Sequence, residues 1–148
     1  MADESQAPTH SETSPEEQER ARKVALAIAT ALDESNCEDI LVLDVRRLSQ
    51  VTDFLVIASG ASDRQMRTAA RKAEEAAEEL GDGLFRQNAD TATTWVVLDF
   101  VNVVAHIFEP TVRGYYDLEM LWGDAERLEW PRADQRKRRN GPPPGARS

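Results

Sequence analysis

Two apolar, β-rich runs that are separated by only two residues restrict the fold most strongly. TWVVLDF occupies residues 94–100 and VVAHIF occupies residues 103–108, with Val101 and Asn102 between them. So short a connection can join two strands only as an antiparallel hairpin, because a parallel crossover needs a dozen or more residues. Every other strand pairing in this chain must therefore be compatible with that antiparallel pair.

Two earlier runs predict strands that are covered on both faces. DILVLDV (39–45) and DFLVIAS (53–59) are almost continuously apolar and are bounded by acidic and turn residues. A strand at 53–59, the helix after it and a later strand imply a right-handed parallel crossover. Parallel and antiparallel pairs must then share one sheet. We therefore predict a three-layer α/β/α domain with a mixed, roughly five-stranded sheet, including a short strand near 84–87.

The first helix is predicted from its start signal and its apolar spacing. Ser14 can cap it, Pro15 suits the first turn, and Glu17 stands where a capping box needs it. The apolar residues that recur at helical spacing form one stripe for the core. They are Ala21, Val24, Ala25, Ile28, Ala31 and Leu32.

A second helix follows the strand at 53–59, and a third segment has helical character further on. Ser62 can cap the second helix, Gln65 would complete its capping box, and Gly81 is placed to end it. YYDLEMLWGDA (115–125) predicts a short, aromatic-rich helix and turn. The inner stripe of the second helix consists mainly of small residues, namely Met66, Ala69, Ala70, Ala73, Ala77 and Leu80.

Length and charge indicate one acidic domain between two tails of opposite charge. We predict a domain at 14–129, a disordered acidic arm at 1–13 and a disordered basic tail at 130–148. Six acidic residues and no Lys or Arg lie in residues 1–19, whereas residues 130–148 hold six basic residues and one acidic residue. The net charge of -9 favours a basic protein surface as the partner over a phosphate backbone.

The sequence predicts a cytoplasmic protein without a membrane partner. No apolar run approaches the roughly 20 residues that span a bilayer, and the N-terminus lacks the basic and apolar parts of a signal peptide. The single cysteine, Cys37, cannot form an internal disulfide, which agrees with a reducing compartment.

No pattern for a cofactor or metal is found. His10 and His106 stand apart, with no Cys or second His at the spacing of zinc ligands. The chain also has no P-loop, no Ser-centred elbow and no complete dinucleotide fingerprint. We therefore predict neither a metal site nor a cofactor.

Metal-dependent nucleotidyl transfer is the enzymatic alternative. Asp44, Asp53 and Asp99 stand near strand ends, and Ser59-Gly60 precedes a helix, as in enzymes that hold magnesium and phosphate there. The strand after that helix would have to supply two alternating acids, and residues 82–94 do not. We therefore predict a domain without catalytic residues.

Four segments, in order, resemble the ribosomal silencing factor family, also called the Iojap family. They are DILVLDV, VTDFLVIASGASDRQ, TWVVLDFVNVVAHIF and RGYYDLEMLW, which together extend over roughly residues 20–125. The specific part is the combination: a Trp four residues before an Asp, a His before a Phe in the next strand, and RxYYxLExLW. The sequence departs from the family at Phe100-Val101-Asn102, where a Gly and an acid are usual. Asn102 can take the positive φ that the turn requires.

The resemblance implies a nucleotidyltransferase-like fold without the catalytic acids. It also implies binding to the large ribosomal subunit at its joining face, through the large-subunit ribosomal protein numbered fourteen. Binding there would block the small subunit sterically and repress translation when nutrients are scarce. A homodimer is a further implication. A ribosome-assembly adaptor of the large subunit is the alternative, and the basic tail offers a possible weak RNA contact.

Candidate partner-binding residues follow from what an acidic surface needs to hold a basic protein. Trp95, Val97 and Asp99 alternate along one strand and so share a face, with an aromatic anchor beside a carboxylate. Core packing is an equally good interpretation of Trp95. In the helix that follows the hairpin, the candidates are Tyr116, Glu119 and Trp122.

Overall fold

The computed structural model describes residues 14–89, 94–110 and 123–130. Within these ranges the chain forms two helices and a six-stranded sheet. The elements are α1 (Pro15–Glu34), β1 (Glu38–Asp44), β2 (Phe54–Ser59), α2 (Asp63–Glu79), β3 (Arg86–Ala89), β4 (Trp95–Asp99), β5 (Val103–Phe108) and β6 (Glu126–Arg127). The strand order in the sheet is β3-β4-β5-β2-β1-β6, and the predicted α/β class with a mixed sheet is confirmed.

Helix α1 begins as its sequence predicts. Ser14 accepts a hydrogen bond from the backbone N–H of Glu17, and the Glu17 carboxylate accepts one from the N–H of Ser14, both at 3.1 Å. Such a capping box pairs two backbone donors that the helix itself leaves unbonded. The predicted stripe faces the core except for Ala31, which is half-buried, while Ala29 is buried.

The sheet contains the two kinds of pairing that the hairpin argument required. β4 and β5 are antiparallel, as are β1 and β2, whereas β2 and β5 are parallel. All six residues of β2 are buried, so this central strand is covered on both faces, as its continuous apolar run predicted.

The edge strands differ most from the sequence prediction. β3 begins two residues later than the predicted strand near 84–87, and all four of its residues are exposed. Its position is set by backbone pairing with β4. Such pairing does not require apolar residues to alternate, and the four residues of β3 show no such alternation. The sixth strand, β6, has two residues and was not predicted.

Helix α2 has only half of its predicted capping box. Ser62 accepts from the backbone N–H of Gln65 at 3.1 Å, but the Gln65 side chain accepts from the N–H of Ala61 rather than that of Ser62. Its amide nitrogen donates to the carbonyl of Ser35, at the end of α1. Gln65 therefore links the two helices, which a local capping pattern does not reveal.

Two glycines bound this helix for different reasons. A Cβ on Gly60 would lie 2.3 Å from Cγ of Met66, a distance that real side chains do not adopt. Gly60 therefore lets α2 approach β2 closely. Gly81 has φ of 85°, the left-handed conformation predicted for the residue that ends the helix.

Both helices pack on the same face of the sheet. Buried residues of α1 and α2 join one core cluster with Val56, Leu98 and Ile107. The opposite side of the sheet, here called the second face, has its own cluster, whose described members come from strands and connecting segments. The helix predicted at 115–125 lies largely outside the described residues, which include only a turn at 123–125 from this segment.

The β4–β5 turn corrects the prediction for Asn102. The residue with positive φ is Val101, at 76°, and Asn102 is not in the left-handed region. The Asp99 carboxylate accepts a hydrogen bond from the N–H of Val101 at 2.8 Å and so holds the turn in place. A β-branched residue is strained in this conformation, at a cost of roughly 1 to 2 kcal/mol.

Replacing Val101 with Gly is therefore expected to stabilise the protein by about 1 kcal/mol, because the relief of strain exceeds the entropy that Gly loses on folding. The gain is checked by urea unfolding. Val51→Gly is the matched control, since Val51 is also exposed but has no positive φ. Equal changes in the two variants would contradict the strain at Val101.

Candidate partner-binding surface

Strand β4 divides its side chains between the two faces of the sheet. Val96 and Leu98 are buried on the helix side, whereas Trp95, Val97 and Asp99 are half-buried on the second face. The alternation that the sequence predicts is present. Three of the six candidate partner-binding residues thus lie in one row, on a rigid strand that is paired on both sides.

An aromatic group joins β4 to β5 on this face. The Trp95 ring lies 5.0 Å from that of Phe108 and 5.9 Å from that of His106, measured between centroids. The rings of His106 and Phe108 are stacked at 5.8 Å, with 5° between their planes. Because Phe108 is fully buried, it supports the two half-buried rings from below.

A hydrogen bond fixes the indole of Trp95. Its Nε1–H donates to Nδ1 of His106 at 3.0 Å. An indole N–H can only donate, so Nδ1 must carry no proton. Burial lowers the pKa of His106 to about 4, which keeps the imidazole neutral near pH 7.

Asp99 already has partners within the chain. One carboxylate oxygen accepts from the Val101 N–H, and the other lies 3.7 Å from Nη2 of Arg86. The Arg86 side chain is 60% exposed, so this ion pair contributes little stability. A basic partner can compete with Arg86 for Asp99, while the bond to Val101 gives the carboxylate a structural role as well.

The exposed part of the second face has more members than the sequence suggested. Val104 and His106 on β5 stand opposite Asp99 and Val97 and are also half-buried. We call these five residues, Trp95, Val97, Asp99, Val104 and His106, the β4–β5 surface. The period of two along β5 was the signal that sequence reasoning overlooked, since it places Val104 and His106 on one face. His106 was considered as a metal ligand and as part of the family resemblance, but not as a surface residue.

Arg86 extends this surface toward the sheet edge through its ion pair with Asp99, and Phe85 precedes it in the chain. Phe85 is 64% exposed, and the Arg86 guanidinium lies 5.2 Å from its ring centroid. Neither residue was a sequence candidate. The other three candidates, Tyr116, Glu119 and Trp122, lie outside the described residues.

Within the described residues, the three aspartates of the enzymatic alternative do not form one cluster. Asp44 holds the Arg46 guanidinium through both oxygens, at 2.9 and 2.6 Å, and Arg46 also contacts Gln18 of α1. Burial opposes ionisation of Asp44, yet the side-chain and backbone hydrogen bonds from Arg46 hold its pKa below the usual value. Asp44 lies on the helix side of the sheet, because its partner Arg46 contacts α1, whereas Asp99 lies on the second face.

The third aspartate is Asp53, which is fully buried. In the described ranges, no group of three or more His, Cys, Asp or Glu side chains is arranged to hold a metal ion.

None of the described helices combines the length and apolar character needed to cross a bilayer.

Cys37 is buried, and its thiol is expected to be inert in the folded protein. Burial, with a smaller contribution from Asp33, raises the pKa of Cys37 to about 12. The reactive thiolate is therefore scarce at neutral pH. Labelling by a thiol reagent should follow global unfolding as urea is added. Rapid labelling in buffer alone would contradict the buried position.

The sequence and the fold are similar to those of known proteins. Residues 18–147 match the family described as "Ribosomal silencing factor during starvation". The ribosomal silencing factor RsfS of Bacillus subtilis is 40% identical over 97 residues, which cover 66% of this chain and 82% of that protein. A mouse protein named "Mitochondrial assembly of ribosomal large subunit protein 1" is 30% identical over 98 residues, 64% of this chain and 43% of that protein.

A solved structure agrees with the sequence matches. A crystal structure of a Chromobacterium violaceum protein has a TM-score of 0.66 and 28% identity, and the match covers 77% of this chain and 96% of that one. Sequence and structure therefore lead to the same conclusion, which confirms the resemblance: this chain belongs to the ribosomal silencing factor family.

Proposed function

We propose that this chain binds the large ribosomal subunit through the β4–β5 surface and hinders its joining with the small subunit. The binding partner is the large-subunit ribosomal protein numbered fourteen, at the joining face. The effect is repression of translation under nutrient limitation, and it is steric, with no catalysis by this chain. One observation carries the proposal: an aromatic, apolar and acidic row stands half-exposed on a rigid strand.

The geometry of the β4–β5 surface suits a basic protein partner. The Trp95 indole is held by His106 and supported by Phe108, so little rotamer freedom is lost when a partner covers it. Asp99 lies two pleats along the same strand, where an incoming Arg or Lys can replace Arg86. An interface of about 800 Å² per partner, the standard size, suffices to occupy a docking surface.

Sedimentation with separated subunits tests the binding. We expect the protein to travel with the large subunit and not with the small one. Light scattering then measures the rate and extent of subunit association, which the protein should reduce. Sedimentation with neither subunit would contradict the whole proposal.

An assembly adaptor of the large subunit is the second candidate. The name of the mouse relative favours it, since that protein is named for assembly of the large subunit. An adaptor would bind the same particle while subunits join at full speed. Light scattering therefore separates the two candidates, whereas sedimentation alone does not.

Self-association and RNA contact complete the proposal. We propose a homodimer in the free, cytoplasmic protein, and the exposed edge strand β3 is a candidate surface for it. Analytical ultracentrifugation measures the mass.

The basic tail would add a weak, salt-dependent contact with RNA, which its removal should abolish without a change of partner.

A further inference from the structure

The hydrogen bond between Trp95 and His106 determines which nitrogen of the imidazole carries the proton. Nδ1 accepts the indole N–H at 3.0 Å and is therefore unprotonated. A neutral imidazole has one N–H, which must then be on Nε2. The imidazole is thus restricted to one of its two tautomers.

The position of His106 leaves Nε2 available to a partner. The ring stacks on Phe108 and stands opposite Val97, in the middle of the β4–β5 surface. Of the two ring nitrogens of His106, Nδ1 is the one that forms a hydrogen bond within the described ranges. His106 is also not among the described residues with buried polar side-chain atoms that lack a partner. Its Nε2–H is therefore a directed donor at the centre of a mostly apolar patch.

We infer that His106 is a positioning and specificity residue of the β4–β5 surface: its Nδ1 orients the Trp95 indole, and its Nε2–H donates a hydrogen bond to the bound partner. The partner segment must then present an acceptor, such as a backbone carbonyl, beside the pocket that receives Trp95. This inference rests on the proposed function, and it adds the chemistry by which a correct partner is recognised. A partner that presents a second donor at this point would leave two buried N–H groups unpaired.

Nitrogen NMR of the free protein, labelled at histidine, tests the first half. We expect His106 to show a protonated Nε2 and a bare Nδ1 at pH 7, and the Trp95 indole N–H to be protected from exchange with solvent. His106→Phe keeps the stacked ring but removes both nitrogens, so the indole protection should be lost. His106→Asn can offer an acceptor near the position of Nδ1, so protection should be largely retained.

Binding to large subunits tests the second half. His106→Phe should bind about tenfold more weakly, and His106→Asn, which restores only the bond to Trp95, about threefold more weakly. A general structural role would not rescue affinity and indole protection together in the Asn variant. Circular dichroism confirms that each variant is folded.

Three results would overturn the inference. A protonated Nδ1 would contradict the tautomer, and wild-type affinity in folded His106→Phe would contradict the contact with the partner. If the unaltered protein bound no large subunit, the proposed function and the partner contact would both fail. The nitrogen signals distinguish that case, because they report the bond between Trp95 and His106 without any ribosome present.

Discussion

Replacement of Trp95 by Ala is expected to weaken binding to isolated large subunits at least about 30-fold, or about 2 kcal/mol. The indole is the largest side chain of the β4–β5 surface, and it is already oriented by His106 and Phe108. Its removal reduces the contact area with the partner. It also removes a side chain whose orientation His106 and Phe108 have already fixed. Sedimentation with a series of subunit concentrations measures the change in Kd.

Folding and surface specificity need separate controls. Trp95→Ala also removes ring contacts within the protein, so its thermal unfolding is measured beside its binding. Trp95→Phe retains an aromatic ring and should lose less affinity. Leu80→Ala is the matched control, because Leu80 is exposed at the end of α2, in the helix layer. Equal affinities of folded Trp95→Ala and the wild type would exclude Trp95 as the anchor.

Replacement of Phe54 by Ala should cost about 3 to 5 kcal/mol of the free energy of unfolding. Phe54 is fully buried at the start of β2, and the Arg46 guanidinium lies 5.2 Å from its ring centroid. The substitution leaves a cavity in the core. It also removes the ring that contacts Arg46, the side chain that forms an ion pair with Asp44. Domains are typically stable by only 5 to 15 kcal/mol, so this is a large fraction of the total.

Urea unfolding of Phe54→Ala is compared with that of Phe85→Ala. The same atoms are removed from Phe85, but its side chain is 64% exposed, so the expected loss is under about 0.5 kcal/mol. If Phe54→Ala does not fold, Phe54→Leu preserves most of the volume and should lose less than about 1.5 kcal/mol. Similar losses at positions 54 and 85 would show that burial does not separate these two phenylalanines.

Local patterns determined much of the fold from the sequence alone. The start of α1 depends on Ser14, Pro15 and Glu17, which lie within one turn of each other. The β4–β5 hairpin follows from a connection too short for any other pairing, and the parallel pair of β2 and β5 then requires a mixed sheet. The helix start and the hairpin could be predicted because their interacting groups are near neighbours in the chain.

The same reasoning predicted only part of the candidate surface. Strand alternation placed Trp95, Val97 and Asp99 on one face, because successive side chains of a strand point to opposite sides. Whether that face is buried depends on what packs on it, and a period of two does not encode this. Sequence patterns therefore left Trp95 equally suited to the core and to an interface.

The tertiary structure decided what depends on contacts between distant residues. His106 lies eleven positions from Trp95, and only the register of β4 against β5 brings Nδ1 to the indole. Gln65 finds the carbonyl of Ser35 across two helices, and Val101 rather than Asn102 takes the positive φ. Sequence spacing specifies neighbours along the chain, whereas strand register and helix packing are set by the free energy of the whole core.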